Sequence, residues 1–402
     1  MKWRVLALLS VAELLAMSVW FTASAVGPEL QARWGLSASG LGWLTTAVQL
    51  GFVAGTAAAA LLNLADILPS KLFFATTALL AAASNGLLLL APGFSEALPA
   101  RFLTGFFLAG VYPPAMKMIA TWFREGRGLA IGTVVGALTV GKAAPYLLKA
   151  LPEVSLEGVV LGASLGAVLG AFLVLSSYRD GPFTFSRAPF SWGLLIRVGR
   201  HRETRLAIFG YLGHMWELYA MWTWVPAFLL ASAQAATVSR GAGPQTSLVE
   251  LASFGAIAAG GLGCVWGGWA ADRIGRERLV NIAMAASGVC SLSIGFFFGW
   301  SFWILVPLTW VWGFFVVADS AQFSALVTEV APQEAVGTAL TLQTSAGFLL
   351  TMLTIQGVPI ITEALGWGWA FPALALGPVF GIGAILRLAR VRATQETRPG
   401  NG

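Results

Sequence analysis

From 157 to 178 the chain reads EGVVLGASLGAVLGAFLVLSSY, with no charge after its first residue. A run of this length matches the thickness of a bilayer, since about 20 apolar residues in a helix cross the hydrocarbon core. Similar runs recur along the chain. They predict spans at 5–26, 41–62, 72–91, 98–120, 129–150, 157–178, 205–231, 248–270, 280–299, 302–327, 337–361 and 367–388. Composition excludes the soluble alternative: 57% of residues are hydrophobic and 10% charged, against about 25% charged in an average soluble domain. The expected fold class is an all-α integral membrane protein with twelve transmembrane helices.

Charge sets the orientation. With the N-terminus inside, eighteen Lys and Arg residues fall in cytoplasmic segments, and only Arg33, Lys149 and Arg240 fall outside. Short inner loops are expected to hold such an excess, so both termini are expected on the cytoplasmic side of the inner membrane. The same bias explains the net charge of +6 without invoking nucleic acid. The N-terminal "MKWRVLALLSVAELLAM" resembles a cleavable signal, but Glu13 interrupts it and its match to a later segment argues for a retained helix 1. Two cysteines, Cys264 and Cys290, imply no disulfide framework.

A repeat organises the chain. "ELLAMSVW" at 13–20 and "ELYAMWTW" at 217–224 share Glu-Leu-x-Ala-Met-x-x-Trp at an offset of 204. Asp66 and Asp272 lie 206 apart, and "GTVVGALT" at 132 and "GTALTLQT" at 337 lie 205 apart. Consistent order and offset predict two parallel six-helix bundles, 1–178 and 205–402, joined by a linker at 179–204. Within it, "FSWGLLIRVGR" mixes apolar residues with cations, as an interfacial amphipathic helix does.

"GGWAADRIGRERL" (267–279) resembles the G-x-x-x-D-R-x-G-R-R/K signature of the major facilitator superfamily, with Gly268, Asp272, Arg273, Gly275 and Arg276 at the matching positions. "ARFLTGFFLAG" (100–110) and "REGRGLAIG" (124–132) are similar to that family's entries into helices 4 and 5. The resemblance implies two bundles about a central cavity lined by helices 1, 4, 7 and 10, with the signature loop acting in gating. Its N-terminal copy keeps Asp66 but has Ile67, Pro69 and Ser70 in place of the later residues, so that half is expected to latch differently. The chain fits no particular substrate branch: helix 5 lacks the G-P-x-x-G-G run of drug/proton antiporters, and helices 5 and 11 lack the glycine signatures of nitrate/nitrite members.

Buried charge marks the candidate site, because each such residue in a span needs a partner or a task. Glu13, Arg101, Lys142, Glu217 and Asp319 fall within predicted spans. His214, Glu217, Met221 and Trp224 form one helical stripe, and Gln322 joins Asp319, as Tyr146 joins Lys142, on a shared face. Glu217 has His214 one turn away. Glu13 has no basic neighbour on its own helix, so it pairs across helices, faces water or carries a proton. Lys142 has Asp319 or Glu13 as possible partners, and Arg101 either ties helices or contacts an anion.

The expected function is secondary transport of a small polar or anionic organic solute by alternating access, coupled to protons, in a monomer within the bilayer. Proton-coupled efflux of hydrophobic or cationic compounds is the alternative, and a non-transporting receptor or scaffold is a reading of another class. No phosphate-cradling G-x-x-x-x-G-K-S/T loop is present, so ATP drive is not expected. Two histidines and two cysteines offer no convergent metal-ligand set, so neither metal, cofactor nor enzyme activity is expected.

Overall fold

The computed structural model describes residues 1–183, 192–238 and 246–396, with the backbone alone at 65, 66, 127, 192, 237, 238, 395 and 396. Residues 184–191 of the expected linker lie outside the described residues.

Among the described residues every regular element is a helix. Ten helices are long and apolar enough to cross a membrane. They are α2 (Ala38–Leu61), α3 (Ser70–Leu90), α4 (Phe94–Ala120), α5 (Gly128–Ala150), α6 (Leu156–Ser177), α8 (Thr246–Ile274), α9 (Arg276–Phe297), α10 (Phe302–Val330), α11 (Gln333–Leu365) and α12 (Trp367–Thr394). Two more segments stand where the sequence predicts spans. α1 (Lys2–Met17, continued by the turn Thr22–Ala25) is shortened by a break. α7 (Arg202–Val238) is long, but His214, Glu217, three tryptophans and two tyrosines lower its apolar character. Ser37 and Ser155 open α2 and α6 by accepting the Gly40 and Gly158 amides at 3.2 Å, the usual service of a hydroxyl to an orphan donor.

Three helices break near mid-length. α1 stops at Met17, α4 pauses between Leu108 and Tyr112, and α10 pauses at Asp319. Pro113 and Pro114 open the second part of α4, where a missing N–H costs nothing. Prolines 145, 226, 307 and 359 each lie inside a continuous helix. Neighbouring membrane helices can absorb a lost backbone bond.

α1–α6 pack among themselves, as do α7–α12, and the two groups meet chiefly along α5·α8 and α2·α11. Lipid gives apolar helices no reason to associate, so close backbone approach has to do so. The same device serves both groups. On α4 a Cβ at Gly105 would strike the Val48 carbonyl of α2, and on α10 a Cβ at Gly313 would strike the Ala256 carbonyl of α8. Between the groups, Gly132 and Gly136 of α5 face the Cys264 and Gly261 carbonyls of α8, where a Cβ would come to 2.8 and 2.6 Å. The short helix Trp192–Arg200 lies beside α7 and α11, with Arg197 paired to Glu334.

Gly105→Leu is therefore expected to lower the melting temperature of the detergent-solubilised protein by more than about 5 °C, from overpacking of about 1–3 kcal/mol or more. Gly383→Leu, where nothing lies within 4 Å of an added Cβ, is expected to leave it unchanged. Equal melting of the two variants contradicts the close α2–α4 crossing.

Candidate functional site

A cavity of about 510 Å³ lies between the two helix groups, bounded by the second halves of α4 and α10 and the first turns of α5 and α11. It reaches the surface at Thr328 and Glu329, at the end of the molecule where Arg124, Arg200 and Arg276 also lie. Ser324, Thr341 and Thr344 supply hydroxyls to its wall, and Lys117, Arg276 and Glu329 stand toward its mouth. Through Tyr112, Val135, Ser324 and Thr344 it continues into a narrow apex of about 50 Å³. The resemblance implied helices 1, 4, 7 and 10 as the lining; α2, α5 and α11 contribute as well.

Lys142 stands at that apex. It is 3% exposed, and its ammonium donates to the Tyr219 hydroxyl and lies 4.0 Å from the Trp20 ring centroid and 5.4 Å from that of Trp222. α5 thus reaches α7, one helix from each group. The expected lock to Asp319 or Glu13 is replaced by aromatic faces, which attract a cation through their quadrupole. Trp20 and Phe52 from one side, with Tyr219 and Phe348 from the other, close the apex as a continuous aromatic layer with centroids 4.8–5.8 Å apart.

Beyond this layer the two groups stay joined to the opposite end. Gln49 accepts from Thr351, and Gln356 accepts from Ser39 at 2.8 Å and donates to Thr46 at 3.3 Å, all between α2 and α11. Near the same end Lys149 pairs with Glu29, and buried Glu250 of α8 faces that pair with one oxygen lacking a hydrogen bond. The sequence reading passed over Gln49, Gln356 and Glu250. A lone amide in an apolar run is the same signal as a lone carboxylate, and Glu250 lay too near a span end to look buried.

The two repeated glutamates are not equivalent. Glu13 is fully buried, and neither oxygen has a hydrogen-bond partner. Glu217 is 1% exposed, yet both oxygens are engaged, by Ser287 Oγ at 2.8 Å and Trp312 Nε1 at 2.7 Å. These donors come from α9 and α10, which turns Glu217 into its own helix group and away from the cavity. His214 passes over Glu217 and places Nδ1 2.9 Å from Asp319 Oδ1, at the break in α10. Gln322 is buried one turn further on.

Other expected site residues are tied elsewhere. Arg101 does not reach the cavity: its guanidinium donates to the Val19 carbonyl at 3.2 Å, to the Trp20 carbonyl and to Asn85 Oδ1 at 2.8 Å. It caps the broken end of α1, where helix termination leaves carbonyls without partners. Trp224 donates to the Ile355 carbonyl at 2.8 Å. Tyr146 is buried one turn beyond Lys142, its hydroxyl without a partner. Of the residues expected to bind substrate, only Lys142 lines the apex and none lines the larger chamber; Glu13, Arg101, Tyr146, His214, Glu217, Trp224, Asp319 and Gln322 line neither.

The loop signature is assembled at the basic end. Gly275 takes φ +87°, a conformation open to glycine. Arg276 pairs with Glu329 at 2.8 Å, and Arg392 pairs with Glu277 at 2.9 Å. Arg273 lies over Trp269 at 3.8 Å. Gly268 faces the Gly128 carbonyl, and Asp272 stands over the first turn of α5, with Oδ1 3.4 Å from where a Gly128 Cβ would lie. A carboxylate there meets the positive end of that helix. Asp66 lies in the turn Leu64–Ile67, and its side chain is outside the described residues.

The family model for the Major Facilitator Superfamily matches residues 9–355. No curated protein matches the chain.

Arg101→Gln leaves the Val19 and Trp20 carbonyls unpaired and is expected to destabilise the protein by about 3 kcal/mol. Arg101→Lys cannot reproduce the forked geometry and is expected to rescue little of it. Thermal unfolding in detergent reads both, and native-like melting of Arg101→Gln contradicts the capping role.

Proposed function

The chain belongs to the major facilitator superfamily, a family of membrane transporters, and we propose that it moves a small anionic or polar organic solute across the cytoplasmic membrane by alternating access, driven by protons. One observation carries this reading: Lys142, at the closed apex of the cavity between the two helix groups, has no carboxylate within ion-pair distance among the described residues. A positive charge without a counter-ion, buried at the narrow inner end of a cavity, favours a negatively charged guest.

In this reading the basic end is cytoplasmic, and the cavity is open toward it. Residues 1–178 and 205–402 act as two halves that rock about the cavity, with 179–204 as their tether. The ladder of Ser39, Thr46, Gln49, Thr351 and Gln356 holds the far side closed. Asp272 and the arginines after it hold helix ends at the near side. Glu13 is the proton carrier, because a buried carboxyl with no donor and no cation in ion-pair reach is far less costly as the neutral acid. Efflux of cationic compounds fits less well. It calls for an unengaged carboxylate on the cavity wall, whereas Glu217, Asp319 and Glu329 are each held by a partner.

Reconstituted vesicles test both roles. Lys142→Gln is expected to reduce uptake of organic anions by roughly a hundredfold, as loss of a desolvated charge contact does. Glu13→Gln is expected to abolish accumulation driven by a pH gradient while preserving exchange of labelled for unlabelled solute. Native-like pH-driven accumulation by Glu13→Gln removes that residue from the coupling.

A further inference from the structure

The shape and chemistry of the cavity narrow the solute further. We infer that it takes a monocarboxylate with an apolar or aromatic body, its carboxylate set against Lys142 at the apex. The inference rests on the proposed role of this cavity as the solute path, and it adds an orientation and a chemical class.

An ammonium group carries three N–H donors. In Lys142 one meets the Tyr219 hydroxyl, and the ammonium otherwise lies against the rings of Trp20 and Trp222, with no second oxygen partner. Two donors therefore remain for a guest, and the two oxygens of a carboxylate are their match. The apex holds about 50 Å³ beside the main chamber's 510 Å³. A head group fits there, and a body does not. Next to the apex stand Met17, Phe52, Leu218 and Phe348, which favour hydrocarbon or an aromatic ring immediately behind the carboxylate.

The same walls discriminate. A short dicarboxylate such as succinate would place its second charge among hydroxyls and apolar side chains, because Lys117 and Arg276 stand toward the mouth and Arg276 is held by Glu329 at 2.8 Å. Burying that charge without a partner is costly. An organic cation meets the field of Lys142 head-on. A neutral amide of the same shape keeps the apolar contacts but loses the charge-assisted bonds, which are about twice as strong as neutral ones.

Full-length protein in lipid nanodiscs tests this through tryptophan fluorescence, with Trp20 and Trp222 at the site as reporters. The probes are 3-phenylpropionate, its amide, octanoate, succinate and tetraethylammonium. The two monocarboxylates are expected to bind at least roughly tenfold more tightly than the amide, succinate or the cation. Lys142→Gln is expected to erase the preference for acid over amide, and Lys142→Arg to keep part of it. Should the Gln variant fail to fold, the acid-against-amide comparison in the native protein still decides. Succinate binding as tightly as phenylpropionate overturns the monocarboxylate inference and leaves an anion transporter. Tight binding of tetraethylammonium with none of the acids overturns both. Equal binding of acid and amide, or failure of every acid to bind, overturns the inference.

Discussion

A lysine ammonium inside a membrane protein has to be held by what the chain puts around it, since lipid offers neither water nor counter-ions. Lys142 is held by a tyrosine hydroxyl and three ring faces rather than by a carboxylate. Aromatic faces stabilise the charge without neutralising it. That choice leaves the positive field pointing into the cavity below. The aromatic layer that does the holding also seals the cavity from the opposite end, so charge stabilisation and closure are one arrangement. Because Trp20 comes from α1 and Tyr219 from α7, the arrangement exists only while the two helix groups are together.

The contacts between the groups are of two kinds. Along α5 and α8, glycines bring backbones together with nothing to break but van der Waals contact. Along α2 and α11, a short run of amide and hydroxyl hydrogen bonds joins the groups on the far side of the aromatic layer. Polar bonds of this kind in membrane proteins contribute on the order of 0.6 kcal/mol each. A ladder that weak can part and reform, as the proposed alternating access requires. The tighter attachments, such as Arg101 on the end of α1 and Glu217 between Ser287 and Trp312, lie within one group and stabilise it as a unit.

The sequence revealed the helices and their repeat because both are written in hydrophobic periodicity and spacing. It also pointed to Lys142, since one buried cation in an apolar helix has few explanations. It could not tell which way a buried side chain faces. Glu13 and Glu217 share a motif, but Ser287 and Trp312 exist in only one half, so one carboxyl is satisfied and the other is not. His214 sits one turn from Glu217 and yet pairs with Asp319, because the break in α10 brings that residue closer. Arg101 was open to two readings, a helix tie or an anion contact, and the end of α1, which needs a donor, takes it as the tie. Partners that come from distant helices are set by packing, and packing is not legible in spacing. Tyr219 and Trp222, aromatic residues in a chain rich in them, carried no signal that set them apart.

The central claim is that the groups part along α2 and α11 to open the Lys142 apex to the opposite end. Electron–electron distance measurement tests it most directly. Spin labels would be placed at Trp43 on α2 and Ile360 on α11, both exposed, with Cys264 and Cys290 replaced by serine. The account predicts one short distance without solute and a second, longer population once 3-phenylpropionate is added. A single short distance that no solute or pH alters would contradict it.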